Sequence, residues 1–154
     1  MATYSCRIIN EVNNMSKVSI VYWSGTGNTE AMANAVADGV KEAGAQADVI
    51  SAENFNADMM DEYDAIAFGC PSMGVEVLEE DVFEPMFEAC KEKLSGKKIA
   101  LFGSYGWGDG EWMDNWEEEC KALGADMPVD FVICNEMPDE AGLKDCMELG
   151  RGLC

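Results

Sequence analysis

Residues 18–30 read Val-Ser-Ile-Val-Tyr-Trp-Ser-Gly-Thr-Gly-Asn-Thr-Glu, an apolar β-branched run followed by a loop of small residues and then by a helical pattern. A strand, a tight loop and a helix start form an anion site in this order, because the first N–H groups of a helix lack internal partners and lie at its positive end. Gly25 and Gly27 let the backbone approach a ligand closely. Since the loop contains neither Lys nor Arg, the sequence predicts a phosphate held by neutral donors, including the side chains of Ser24, Thr26, Asn28 and Thr29.

This loop differs from two other phosphate motifs. It lacks the Gly-Lys-Ser/Thr of a Walker A loop, and Glu30 occupies the position of the third glycine in the dinucleotide fingerprint. For Gly-Thr-Gly alone, an ordinary helix capped by Thr or Asn after a glycine turn is an equally good interpretation. The full run from Ser24 to Thr29, directly after an apolar strand, is more specific and favours the phosphate site.

Composition excludes several classes of protein. The 154 residues, 48% of them hydrophobic, suit one domain with a sizeable core. No apolar run approaches the ~20 residues of a membrane span, and the absence of His excludes histidine catalysis and most zinc sites. Seven cysteines in no regular framework indicate buried thiols in a reducing cytoplasm. A net charge of −20 argues against binding nucleic acid or an anionic membrane.

Hydrophobic periodicity predicts strands that alternate with helices. The strands are expected at residues 17–22, 47–51, 64–69, 97–103 and 128–134. The helices are expected from Asn28 or Thr29 to Ala43 and over about residues 79–93, 111–123 and 139–151, with an acidic loop and one helical turn at 54–62. This series implies an α/β fold with three layers, in which a parallel sheet carries helices on both faces. The domain is expected to span residues 15–154, after a disordered or non-native extension at residues 1–14.

Unusual loops follow the first, third and fourth strands, and all of them belong to the carboxyl edge of the sheet. Ligands of open α/β sheets bind outside this edge. The third loop places Trp107 between two glycines, which favours stacking on a ligand over a role in the core. Trp112 and Trp116 have helical spacing and are predicted to be core residues. Met73, in the second loop, offers a polarisable contact surface.

Three motifs resemble those of the flavodoxin family, in its short-chain form. They are Val21-Tyr22-Trp23-Ser24-Gly25-Thr26-Gly27-Asn28-Thr29-Glu30, Gly69-Cys70-Pro71-Ser72-Met73-Gly74 and Leu101-Phe102-Gly103-Ser104-Tyr105-Gly106-Trp107-Gly108. The motifs occur in the right order and on the right loops. The resemblance covers the chain from about Ser16 and implies a five-stranded parallel sheet of order 2-1-3-4-5, with FMN at the switch point between strands one and three. The fifth strand runs directly into the last helix, which leaves no room for the insertion of long-chain flavodoxins.

The resemblance also implies a role for each loop around FMN. Ser24, Thr26, Asn28 and Thr29, with Gly25 and Gly27 between them, would hold its phosphate. Met73 and Trp107 would flank the isoalloxazine ring, and Glu76 would accept a hydrogen bond from the ring N3. Backbone groups near Gly74 and from Ser104 to Trp107, which include Tyr105 and Gly106, would bind the ring edge. The predicted site also includes Ser72, Val75 and Gly108.

By the same resemblance the protein is a low-potential one-electron carrier with non-covalently bound FMN, and not an enzyme. The alternative is an FMN-dependent oxidoreductase of the quinone reductase kind on the same fold. That activity needs a substrate cleft over the flavin and usually a nicotinamide site, and the sequence has no additional loops to build them. A signalling receiver is excluded, because strand one ends in Tyr22-Trp23-Ser24 and not in clustered Asp residues.

Charge placement predicts the kind of partner. Acidic residues are expected at the carboxyl edge of the sheet, around the flavin: Asp58, Asp61, Glu62, Glu76, Glu79, Glu80, Asp81, Asp109, Glu111, Asp114, Glu136, Asp139 and Glu140. Basic residues are expected at the opposite edge: Lys17, Lys41, Lys91, Lys93, Lys97, Lys98, Lys121 and Arg151. A monomer that binds redox proteins transiently, through basic docking patches on those proteins, is therefore expected.

Overall fold

The computed structural model describes residues 16–73 and 77–154. The expected N-terminal extension, residues 1–14, lies outside the described residues. So do Gly74, Val75 and Glu76 of the second unusual loop, and the roles assigned to them remain predictions.

The described residues form the predicted parallel sheet, with strand order β2-β1-β3-β4-β5. The strands are β1 (Lys17–Tyr22), β2 (Gln46–Ser51), β3 (Ala65–Gly69), β4 (Lys98–Tyr105) and β5 (Val132–Asn135). The strand order reverses between β1 and β3, whose pairing aligns Val18 with Ala65 and Tyr22 with Gly69. The fold class and the strand order are therefore confirmed.

Helices cover both faces of this sheet. They are α1 (Asn28–Glu42), α2 (Phe83–Cys90), α3 (Glu111–Ala122) and α4 (Glu140–Leu153). On one face, α1 and α4 pack over the alanine-rich centre of the sheet. Any Cβ at Gly39 would collide with the backbone of Met147, and one at Gly150 with the backbone of Val36. These glycines let the two helices approach each other closely.

An aromatic core fills the other face, beneath α2 and α3. The Phe68 ring of β3 packs edge to face against Phe55, Phe83 and Phe87, with ring centroids 6.3, 6.4 and 5.2 Å apart. Trp112 and Trp116 on α3 are each only 3% exposed, as predicted from their helical spacing. Such rings bury large apolar areas and dominate the stability of this face.

Several element boundaries differ from the sequence prediction. The helix expected from about residue 79 begins at Phe83, because the Glu79 carboxylate accepts N–H groups of residues 81–83 and holds a turn there. Residues 91–93 continue α2 only as a 3₁₀ turn. β5 begins at Val132, and β4 extends through Ser104 and Tyr105 because both residues pair with β5. The expected loop at 54–62 consists largely of 3₁₀ turns, Ala52–Asn54 and Ala57–Glu62.

Two further observations concern classes of protein that the sequence excluded. In the described part of the chain, no helix is both long and apolar enough to cross a membrane. No disulfide joins the cysteines in this described part of the chain. Five of them are buried and Cys154 is exposed; the buried ones are Cys70, Cys90, Cys120, Cys134 and Cys146. The prediction of buried thiols holds for all of these except Cys154.

Candidate functional site

A cleft of about 310 Å³ opens at the carboxyl edge of the sheet, where β1, β3 and β4 end. Eight residues of the sequence-predicted site line it: Gly25, Thr26, Asn28, Ser72, Met73, Ser104, Tyr105 and Gly106. Trp23, Pro71 and Glu136 also line it and were not part of that prediction. The three unusual loops thus meet at the switch point of the sheet, which is the expected place for a ligand.

The first loop is organised by the Ser24 hydroxyl. Its oxygen accepts the backbone N–H groups of Gly27, at 3.0 Å, and Glu30, at 3.3 Å. Gly27 immediately precedes α1 with a φ of +95°, a conformation that costs a residue with a Cβ about 1–2 kcal/mol. A hydroxyl that accepts these bonds still has its own hydrogen to donate, so Ser24 can shape the loop and contact an anion.

Thr29 lies beneath the cleft and not in its lining. The side chain is 1% exposed, and its Oγ1 lies 2.8 Å from the Ser104 Oγ in a buried hydrogen bond. This bond ties the first turn of α1 to the end of β4. A direct contact between Thr29 and a phosphate remains a prediction, because in this structure the hydroxyl is engaged with Ser104.

The second loop leaves β3, and its residues Pro71, Ser72 and Met73 line the cleft. The Ser72 N–H donates to the Ser104 carbonyl, at 2.9 Å. Met73 and Val77 exchange two backbone hydrogen bonds, of 2.8 and 3.0 Å, and so pair as a short antiparallel bridge. These bonds hold the half-buried Met73 beside the cleft, where the sequence placed it.

The third loop exposes an aromatic side chain beside the cleft. Trp107 is 63% exposed and lies outside the lining, between Gly106 and Gly108. The ring of Tyr105, which does line the cleft, packs at a tilt on the Trp112 ring, with centroids 5.7 Å apart. An indole exposed to this extent contributes little to the core, which agrees with the predicted role in ligand stacking but does not test it.

A sequence model of the flavodoxin family matches residues 20–150. The chain is 53% identical to the flavodoxin of Megasphaera elsdenii and 48% identical to that of Clostridium beijerinckii; each alignment covers 87% of this chain and 96% of the relative. The solution structure of two-electron reduced Megasphaera elsdenii flavodoxin superposes with a TM-score of 0.82 at 51% identity, over 88% of this chain and 97% of that one. The chain belongs to the flavodoxin family. It is accordingly an electron-transfer flavoprotein whose cofactor is FMN.

The lining of the cleft in this flavodoxin fits such a ligand. Gly25, Thr26 and Asn28 offer backbone amides and short polar side chains beside the positive end of α1. Met73 and Tyr105, in the same lining, offer flat or polarisable surfaces. Neutral donors together with such surfaces are the groups that a phosphate joined to an aromatic ring requires.

Two lining residues that were not among the predicted FMN contacts have specific places in this flavodoxin. The Trp23 indole lies across Gly25, where an added Cβ would stand 2.9 Å from the ring, so Gly25 leaves space for that ring. Glu136 has a φ of +57°, and its N–H donates to the Tyr105 carbonyl, at 2.7 Å. Both directly follow strand ends at the carboxyl edge. This signal could have identified Trp23, and Glu136 was expected at this edge as an acidic residue.

The charge distribution of this flavodoxin corrects one sequence expectation. Asp58 and Asp61 do not lie beside the cleft; both pair with Lys93, at 4.0 and 2.8 Å. Asp61 and Lys93 line a shallow depression with Lys97 and Lys98, next to the start of β4. The hydrogen bond from Lys93 holds the pKa of Asp61 below its ordinary value. The reason is that residues 57–62 lead into β3 and so approach the amino edge of the sheet.

Proposed function

We propose that this flavodoxin carries single electrons at low potential between redox proteins, with FMN bound non-covalently in the cleft. The observation that carries the proposal is the meeting of the neutral-donor loop with Met73 and Tyr105 at one switch point. Bound FMN supplies the electron chemistry, and the chain supplies binding, orientation and electrostatics. Its transient partners carry basic docking patches, and it works as a monomer in the cytoplasm.

The proposal gives separate roles to the residues of the three loops. Ser24, Thr26, Asn28 and Thr29 donate to the phosphate, while Gly25 and Gly27 allow close approach. Met73 and Trp107 cover the two faces of the ring. The ring edge is bound by Ser72, Gly74, Val75, Glu76, Ser104, Tyr105, Gly106 and Gly108.

The low potential follows from the charges of the chain itself. Glu136 lines the cleft, and Glu111 and Glu140 begin the helices that start at the same edge. These carboxylates disfavour further negative charge inside the cleft, and so they lower the reduction potential of a cofactor bound there. A difference of 1.36 kcal/mol corresponds to about 59 mV in a one-electron step.

The test is a fluorescence titration of the apoprotein with FMN and with riboflavin, which lacks the phosphate. A charge-assisted hydrogen bond contributes about 1.5–3 kcal/mol, so we expect one FMN per chain and a riboflavin Kd at least about tenfold higher. Thr26→Val removes one loop hydroxyl. It should raise the Kd of FMN without changing that of riboflavin, so that the two Kd values become more similar. Equal affinities for the two flavins in the unsubstituted protein would refute the assignment of the loop.

A further inference from the structure

Glu79 is a buried carboxylate that the proposed FMN contacts leave unexplained. It is 5% exposed, whereas carboxylates are almost never fully buried unless they are paired. Its partners are backbone amides: Oε1 accepts from Asp81 at 2.8 Å, and Oε2 accepts from Val82 at 2.9 Å and from Phe83 at 2.8 Å. The carboxylate therefore lies at the positive end of α2 and is stabilised there.

The backbone of Glu79 is tied to the end of β3. Its N–H donates to the Cys70 Sγ, at 3.3 Å, in a buried contact. Burial raises the pKa of Cys70, so its sulfur is a neutral thiol that accepts this bond and donates to the Pro71 carbonyl, at 3.6 Å. Cys70 is itself fixed, because its carbonyl accepts the Trp112 indole N–H, at 3.3 Å.

Together these bonds close the loop that carries Met73. β3 ends at Gly69, and the contact of the Glu79 N–H with the Sγ of Cys70, the next residue, brings the two ends of the loop together. Between them, the bridge of Met73 with Val77 fixes the arms of the loop. Val77, the partner of Met73, is two residues from Glu79 in the chain.

We propose that Glu79 and Cys70 are positioning residues, which hold the Met73–Val77 bridge in the position in which Met73 contacts the flavin ring. This inference rests on the proposed function, since it assigns Met73 to the ring. The alternative is that Glu79 only caps α2, in which case its loss lowers stability and leaves the cleft unchanged. The two roles therefore predict different effects on the binding of the flavin ring.

Riboflavin separates these roles, because it has the ring without the phosphate. Glu79→Gln keeps the shape of the side chain but loses the charge that the amides of α2 bind. We expect the Kd of FMN and that of riboflavin to rise by the same factor, about tenfold for one charge-assisted bond, so that their ratio is unchanged. The absorption maximum of bound FMN should also shift, because the contact between Met73 and the flavin ring changes.

Cys70→Ala provides a second variant, which removes the sulfur acceptor and leaves the Glu79 carboxylate in place. Like Glu79→Gln, it should raise the Kd of FMN and that of riboflavin. Asn56→Ala is the matched control: Asn56 caps a 3₁₀ turn by accepting the Met59 N–H, at 3.2 Å, and does not line the cleft. This control should lower the melting temperature without changing either Kd.

Amide hydrogen exchange of the apoprotein adds a readout that needs no flavin. The amides of Met73 and Val77 should exchange at least about tenfold faster in Glu79→Gln and Cys70→Ala than in the unsubstituted chain. The inference is overturned if the riboflavin Kd and these two exchange rates match those of Asn56→Ala. Failure of the unsubstituted protein to bind FMN would instead refute the proposed function, and the exchange rates would still test the anchoring of the loop.

Discussion

At the scale of one residue, Thr29 is a predicted phosphate ligand whose hydroxyl also has a structural partner in the fold. Its hydroxyl and that of Ser104 satisfy each other in a buried environment. Thr29→Val should leave the Ser104 hydroxyl without a partner and lower the free energy of unfolding by about 1–3 kcal/mol. Urea unfolding of the apoprotein measures this change. Thr26→Val, on the exposed surface of the same loop, should stay within about 0.5 kcal/mol of the unsubstituted chain. Equal losses in the free energy of unfolding for Thr29→Val and Thr26→Val would contradict the structural role of the buried Thr29 hydroxyl.

Trp107 and Trp112 form a second comparison at the scale of single residues, because one is exposed and the other buried. Trp107→Ala should weaken FMN binding and relieve the quenching of flavin fluorescence, with little effect on unfolding. Trp112→Ala should destabilise the fold by about 3–5 kcal/mol, since it removes a core ring and the donor to the Cys70 carbonyl. Flavin titration and thermal melting measure the two effects. If Trp107→Ala changed neither affinity nor quenching, its stacking role would be wrong.

At the scale of elements, Tyr63 links β2 to the segment that enters β3. Its hydroxyl donates to the Asp48 Oδ2, at 2.8 Å. Burial, together with this bond, raises the pKa of Tyr63 from 10.0 to about 12. The folded chain therefore holds this proton more tightly than the unfolded chain does. The resulting stability is fully present below pH 10 and is lost as the pH rises toward 12.

Urea unfolding at several alkaline pH values, compared with Tyr63→Phe, tests this linkage. The unsubstituted chain should lose more stability than Tyr63→Phe between pH 10 and 12, because the Phe variant has no proton to release there. Parallel pH profiles for the two chains would show that the hydroxyl titrates alike in the folded and unfolded states.

At the scale of the whole molecule, 30 acidic and 10 basic residues are divided unevenly between the two edges of the sheet. Lys17 and Lys98 begin strands at the edge opposite the cleft, where Lys93 pairs with Asp61. The edge with the cleft is correspondingly more acidic. This asymmetry should orient the protein toward basic partners as they approach.

Electron transfer from the reduced protein to a basic acceptor protein should therefore slow as salt rises. Screening shortens the range of the attraction strongly between ~10 and ~500 mM ionic strength. Stopped-flow rates over this range measure the effect, and an acidic acceptor provides the control, whose rate should rise instead. A rate to the basic acceptor that did not depend on salt would argue against electrostatic steering.

The elements were predictable where the physical cause is local. Phe68, with its apolar neighbours, belongs to a strand buried on both faces, and the apolar stripe of Met32, Val36 and Val40 belongs to an amphipathic helix. The predicted element boundaries were wrong where residues distant in the sequence determine them. β4 continues through Tyr105 because β5 pairs with it, and α2 begins late because Glu79 binds the amides before it.

The sequence by itself determined the class of fold, the three loops and the family, because these depend on periodicity and on motifs whose residues are contiguous. Tertiary structure alone decided which of the motif residues face the cleft. It buried the Thr29 hydroxyl against Ser104, brought Trp23 and Glu136 to the lining, and moved Asp61 to the opposite edge beside Lys93. The physical reason is that a side chain's partners come from strands and helices that fold next to it, and their positions are fixed only when the whole sheet is assembled.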